Sequence, residues 1–83
     1  MARYDRRQTI RLFRERLAAL IERAGGRQAE FARRIGVDRS TLSQLLTGRE
    51  DRLPRADTVA AIAQTSQVSA DWLLGLSQED QAE

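Results

Sequence analysis

The side chains best equipped for chemistry in this 83-residue chain are fourteen arginines, all lying between Arg3 and Arg55. A guanidinium is a planar fork of permanent donors that fits phosphate oxygens and the edge of a guanine, so arginine in quantity favours recognition of an anion. Seven acids share that stretch, leaving a local net charge of +7; beyond Arg55 come five acids and no base, which brings the total to +2. The field is dipolar, and the first two thirds of the chain form the end that attracts a polyanion. Groups needed for other chemistries are missing. Without cysteine or histidine there is no disulfide framework, no thiolate or imidazole metal ligand, and no Ser/His or Cys/His nucleophile pair. Neither an enzyme activity nor a cofactor is expected. No apolar run is longer than that from Leu17 to Ile21, far short of the ~20 residues that span a bilayer. The chain therefore reads as cytoplasmic, with no membrane partner.

The elements that must position these arginines follow from apolar spacing. Ile10, Phe13, Leu17, Leu20, Ile21 and Ala24 recur at intervals of three and four, which predicts a helix from about Thr9 to Ala24, stopped by Gly25 and Gly26. Gln28 to Ile35 reads as a second helix with Phe31, Ala32 and Ile35 inward. After a turn at Gly36, Asp38 has the chemistry to cap a third, with Leu42 and Leu45 inward and Leu46 beside them, ended by Thr47 and Gly48. Arg49 to Arg55 is charged and holds Pro54, so it reads as an exposed loop into a fourth helix carrying Val59, Ile62 and Ala63 and ending near Ser66. Ser69 can cap a short fifth helix through Trp72 and Leu73, closed by Gly75. No sustained period-two alternation marks a strand. The reading is an all-α, compact five-helix domain over residues 1–76, with residues 1–8 as a flexible basic arm or an extension of the first helix. Residues 77–83 have nothing to bury and read as a disordered tail or linker stump.

The segment from Gln28 to Thr47 has a spacing with a physical cause. Two helices that cross steeply need a small residue at the crossing, here Ala32, and a glycine in the turn, here Gly36. They also need apolar anchors, here Phe31, Ile35, Val37, Leu42 and Leu45. Those requirements define a helix-turn-helix. With its flanking helices and its Val-Ser-Ala-Asp-Trp-Leu-Leu ending, the chain from about residue 13 to 75 resembles the Cro and phage-repressor (XRE-like) family of transcription regulators.

That resemblance implies a lambda-repressor-like fold and a double-stranded DNA partner, an operator, with the third helix, about 39–46, entering the major groove. Its outward residues Arg39, Ser40, Thr41, Ser43 and Gln44 are then the expected base contacts. Arg39 suits guanine O6 and N7, and Gln44 suits adenine N6 and N7. Gln28, at the start of the second helix, matches the family's phosphate-binding glutamine. Arg33 and Arg34 near the turn, and Arg49, Arg52 and Arg55 in the loop, are the other expected phosphate contacts. The chain departs from the family in places: Gly26 stands where an apolar residue is usual, and Arg27 and Arg55 occupy positions where Ser, Thr, Asn or Asp would cap a helix. Ser66 and Gln67 also replace a common Leu-Gly pair after the fourth helix.

Transcriptional regulation, by repression at an operator, is the leading expectation. A protein-interaction module, such as an antitoxin or accessory protein with secondary DNA binding, is the alternative. Its basis is the acidic, apolar C-terminal side, where Trp72, Leu73, Leu74 and Leu76 exceed what one short helix can bury beneath itself. The surplus would serve a homodimer or a C-terminal sensor domain in a longer parent protein.

Overall fold

The structure, a computed structural model, describes residues 3–47 and 53–79. Among them are five helices: α1 (Arg6–Arg23), α2 (Gln28–Ile35), α3 (Arg39–Thr47), α4 (Ala56–Ser66) and α5 (Ala70–Leu73). The all-α, five-helix expectation holds. No helix among the described residues is long and apolar enough to cross a membrane. Gly48, Arg49, Arg52 and the tail from 80 to 83, all part of the sequence expectations, lie outside the described residues.

Helix α1 begins three residues before the expected Thr9. Arg6, Arg7 and Gln8 carry no apolar side chain and so no periodic signal, but Asp5 caps the helix by accepting a hydrogen bond from the Arg7 amide at 3.0 Å. Of the two readings for residues 1–8, Arg6 to Gln8 therefore follow the extended helix. At the other end the Gly26 amide reaches the Ile21 carbonyl at 2.8 Å, closing the last turn.

The core draws Phe13, Leu17, Leu20 and Ile21 from α1 and Phe31, Ala32 and Ile35 from α2. Leu42 and Leu45 come from α3, Ile62 from α4, Val68 from the connection, and Trp72 and Leu73 from α5. Every anchor assigned from the helix-turn-helix spacing lies in this cluster or, like Val37, packs half-buried against it. Helix α2 packs on α3 and α4, and α1 packs on α3 and α5. No polar or charged residue is buried among those described, so burial of apolar surface is the dominant cohesive term.

Gly36 ends α2 in the left-handed conformation, φ 80°, and the Val37 amide then bonds the Ala32 carbonyl at 3.0 Å. The same conformation recurs at the end of α4, where it falls on a residue with a Cβ: Gln67, φ 57°. A left-handed residue other than glycine costs about 1–2 kcal/mol, partly offset in a glycine variant by the greater freedom of the unfolded chain. Gln67→Gly is therefore expected to stabilise the domain by about 0.5–1 kcal/mol, raising Tm by roughly 2–8 °C in a thermal melt. An unchanged or lower Tm would show that the Gln67 side chain stabilises the domain as much as its backbone strains it.

The C-terminal segment is held by a contact that sequence periodicity does not disclose. The Arg16 guanidinium donates to the carbonyls of Trp72 and Ser77, the latter at 3.0 Å. It also stands 5.0 Å from the centroid of the Trp72 ring, with Arg23 at 5.7 Å, distances at which a cation is attracted to the ring face. Ser69 caps α5 through the Trp72 amide, and its hydroxyl donates to the Glu79 carbonyl. Residues 77–79, expected as the start of a free tail, are thus hydrogen-bonded to the body.

Candidate nucleic-acid interface

Helix α3 starts where Asp38 makes it start. Its carboxylate accepts from the Thr41 amide at 2.6 Å, and its carbonyl accepts from the Leu42 amide. The bond from the Thr41 amide, and then one from the Thr41 hydroxyl, hold the Asp38 carboxyl below its ordinary pKa of 3.8. Because the folded-state pKa is depressed, the stabilisation is present above the unfolded value and is lost as pH falls through the folded one. Asp38→Asn is expected to melt lower than wild type at neutral pH. The two melting temperatures should converge only in stronger acid, once pH has fallen from 3.8 through the depressed folded-state value and the wild-type carboxyl is neutral too. A gap that persists in acid would assign the effect to something other than charge.

With Leu42 and Leu45 turned into the core, positions 39, 40, 43 and 44 share the opposite face, since i and i+4 are neighbours on a helix. Arg39, Ser40, Ser43 and Gln44 are all exposed there, as expected. Thr41 differs: it is half-buried, and both its amide and its hydroxyl are engaged with Asp38. It supports the start of the helix.

Helix α2 presents its own start to the same region. Arg27 occupies the N-cap position without a side-chain hydrogen bond, and the first backbone bond of the helix runs from the Phe31 amide to the Arg27 carbonyl. The amides of Gln28, Ala29 and Glu30 precede that bond, and a helix start with free amides attracts anions. An open hollow of about 570 Å³ lies at this end, lined by Gly26, Arg27, Gln28, Ala29, Glu30, Arg33 and Arg39. Three residues singled out from sequence, Gln28, Arg33 and Arg39, thus converge on one concavity shared by the starts of α2 and α3. Glu30 tempers the charge there: it sits 3.9 Å from Arg27 in an exposed i, i+3 pair. Such a pair contributes little to stability in solvent.

Arg34 is exposed but does not line the hollow. Arg55 precedes α4 without capping it, and its exposed guanidinium lies 3.5 Å from Asp57. Of the five helices, the described caps serve α1, α3 and α5 through Asp5, Asp38 and Ser69. The two arginine starts, α2 and α4, are the ones with no side-chain cap. Sequence alone flagged both positions as departures. What it missed is that Arg16 and Arg23 serve Trp72. The one available signal was their seven-residue spacing on α1, opposite the chain's single tryptophan.

Among the described residues no cluster of three or more His, Cys, Asp or Glu could hold a metal. No curated protein and no solved structure matches the chain. A family model described as Helix-turn-helix matches residues 17–73, from the middle of α1 to the end of α5. It spans the crossing at Ala32, the turn at Gly36 and the exposed face of α3. On these grounds the chain belongs to the XRE-type helix-turn-helix family, a family of DNA-binding regulators.

Proposed function

We propose that the domain recognises a specific duplex sequence and regulates transcription by occupying it, acting as a repressor. The observation that carries this reading is the convergence of Gln28, Arg33 and Arg39 on one hollow beside the exposed face of α3. A phosphate at the uncapped start of α2 would take up amides that lack an acceptor, with Gln28 beside it. From that anchor Arg39 is placed to offer its fork to guanine in the major groove, with Ser40, Ser43 and Gln44 following along the helix. Arg33, Arg34 and Arg55 contribute charge to the backbone contacts, which supply affinity without sequence information.

Selection from a random duplex library with the purified chain, followed by titration of the enriched duplex across salt, tests this. Enrichment of a defined motif and a steep, linear fall of log affinity with log salt are expected. No enrichment, or an affinity flat between low and moderate salt, would reject it.

A protein partner is favoured by one further observation. Among the described residues, Tyr4 and Leu76, each 70% exposed, are the large apolar side chains left in solvent. They flank a hollow floored by Leu12, Leu74 and Gly75. Trp72 and Leu73 are buried and Leu74 half-buried, so the apolar surplus expected at this end reduces to Leu76, joined by Tyr4. A second copy seated there would suit a two-fold operator. Sedimentation of the chain with and without its selected duplex decides it, because a monomer in both states removes the homodimer.

A further inference from the structure

The family match begins at residue 17, yet α1 begins at Arg6. Eleven helical residues therefore precede the shared part of the fold. The first of them contribute little to the core: Arg6, Arg7 and Gln8 are exposed and Thr9 is half-buried. A turn that buries nothing gains no stability from packing. It is nonetheless fixed by the Asp5 cap.

The two sides of this extension differ. One side is occupied, because Leu12 packs so closely on Gly75 that a Cβ there would stand 2.6 Å from Leu12 Cδ1. Arg14 lies two residues on from Leu12, about 200° round the helix, and Arg7 and Arg11 share its side at i−7 and i−3. These three arginines, with Ile10 beneath them and Glu15 at the edge, line a second open hollow of about 520 Å³. Three guanidinium groups face one carboxylate.

We infer that this arginine side of the α1 extension is a second backbone-binding surface, which grips duplex phosphates flanking the base pairs read by α3. The inference rests on the DNA-binding reading above. An acidic protein segment is the other polyanion to weigh, but protein interfaces are anchored by buried aromatic or aliphatic side chains. Ile10, the apolar residue of this hollow, is already 4% exposed and has no surface to offer. Phosphate oxygens ask only for charge and donors. From Arg7 to Arg14 the helix rises about 10 Å, as far along the duplex axis as roughly three base-pair steps of 3.4 Å. From Arg7 to the end of α1 it rises about 24 Å, so the surface reaches at most about seven base pairs beyond the contacts of α2.

The test compares wild type with Arg7→Gln/Arg11→Gln on two duplexes sharing the selected core. One is trimmed to that core, and the other carries flanks longer than the reach just given. Both substituted side chains are exposed, and an unchanged thermal melt verifies the fold. Arg14, which is half-buried, is left in place.

On the flanked duplex the double variant should lower the slope of log affinity against log salt by about 1.8, two contacts at about 0.9 each. Between about 50 and 200 mM salt the wild type then loses about 12-fold more affinity than the variant. Arg7→Lys/Arg11→Lys should retain the wild-type slope, and on the trimmed duplex all three proteins should coincide. An unchanged slope on the flanked duplex overturns the inference, because Arg7 and Arg11 then release no counterions from the flanks. A difference that persists on the trimmed duplex also overturns it, because the arginines then act inside the core site. If the wild type binds no duplex at all, the DNA-binding reading fails and takes this one with it.

Discussion

Replacing Leu42 with alanine is expected to lower the melting temperature by roughly 10–30 °C and to weaken DNA binding with it. Leu42 is fully buried, and it is the residue of α3 that reaches furthest into the cluster shared by all five helices. Removing a buried leucine side chain to alanine costs about 2–5 kcal/mol, a transfer term plus a cavity that the neighbours fill only in part. For a domain of this size total stability is on the order of 4–12 kcal/mol, so the loss consumes a large share of it. The effect on binding comes through the fold, since Leu42 has no exposed atom to offer DNA. Leu42→Met, which keeps the volume, should cost less than about 1.5 kcal/mol and preserve binding. A Leu42→Ala protein that melts within a few degrees of wild type would mean that α3 is held by something other than its core face.

Leu42 also shows where sequence reading is strong. Its burial, and that of Phe31, Ala32, Ile35 and Leu45, follows from a period that any helix imposes on its apolar residues, so spacing alone assigns them. The turn at Gly36 is legible for the same reason, because left-handed backbone restricts the residue type. The start of α1 is not. Three polar residues carry no periodic signal, and whether Asp5 caps a helix or sits in a loop depends on the conformation of the residues after it. The arginines were legible as a population and not as individuals. Arg16 and Arg23 look like every other basic residue until the fold brings Trp72 beside them, from 56 and 49 positions away in the chain. Thr41 illustrates a competition that spacing cannot resolve: a hydroxyl on the first turn of a helix can face outward or bond back to the cap, and here it bonds back. The hollow shared by Gln28, Arg33 and Arg39 depends on how α2 and α3 cross. Resemblance alone assigns all three residues to DNA, and nothing in their spacing brings them together.

That convergence makes Arg39 the most informative position in the interface. Arg39→Ala is expected to weaken binding to the selected duplex by roughly 5- to 150-fold, the 1–3 kcal/mol that a bidentate contact to a base is worth. On random duplex the loss should be much smaller, because only the charge is missed there. The difference arises because Arg39 stands at the first turn of α3, exposed, on the face that also carries Ser43. Arg33, in the same hollow but on α2, is the internal comparison. Its alanine variant should weaken both duplexes by the same factor, as expected of a phosphate contact. Arg39→Lys separates charge from geometry. A lysine keeps the cation and so the salt slope, but it lacks the planar fork, and discrimination at one base-pair position should relax as it does in the alanine variant. Repeating the library selection with Arg39→Ala would identify that position directly as the one whose preference disappears. Equal losses on selected and random duplex would instead reduce Arg39 to a backbone contact, and base reading would then fall to Ser40, Ser43 and Gln44.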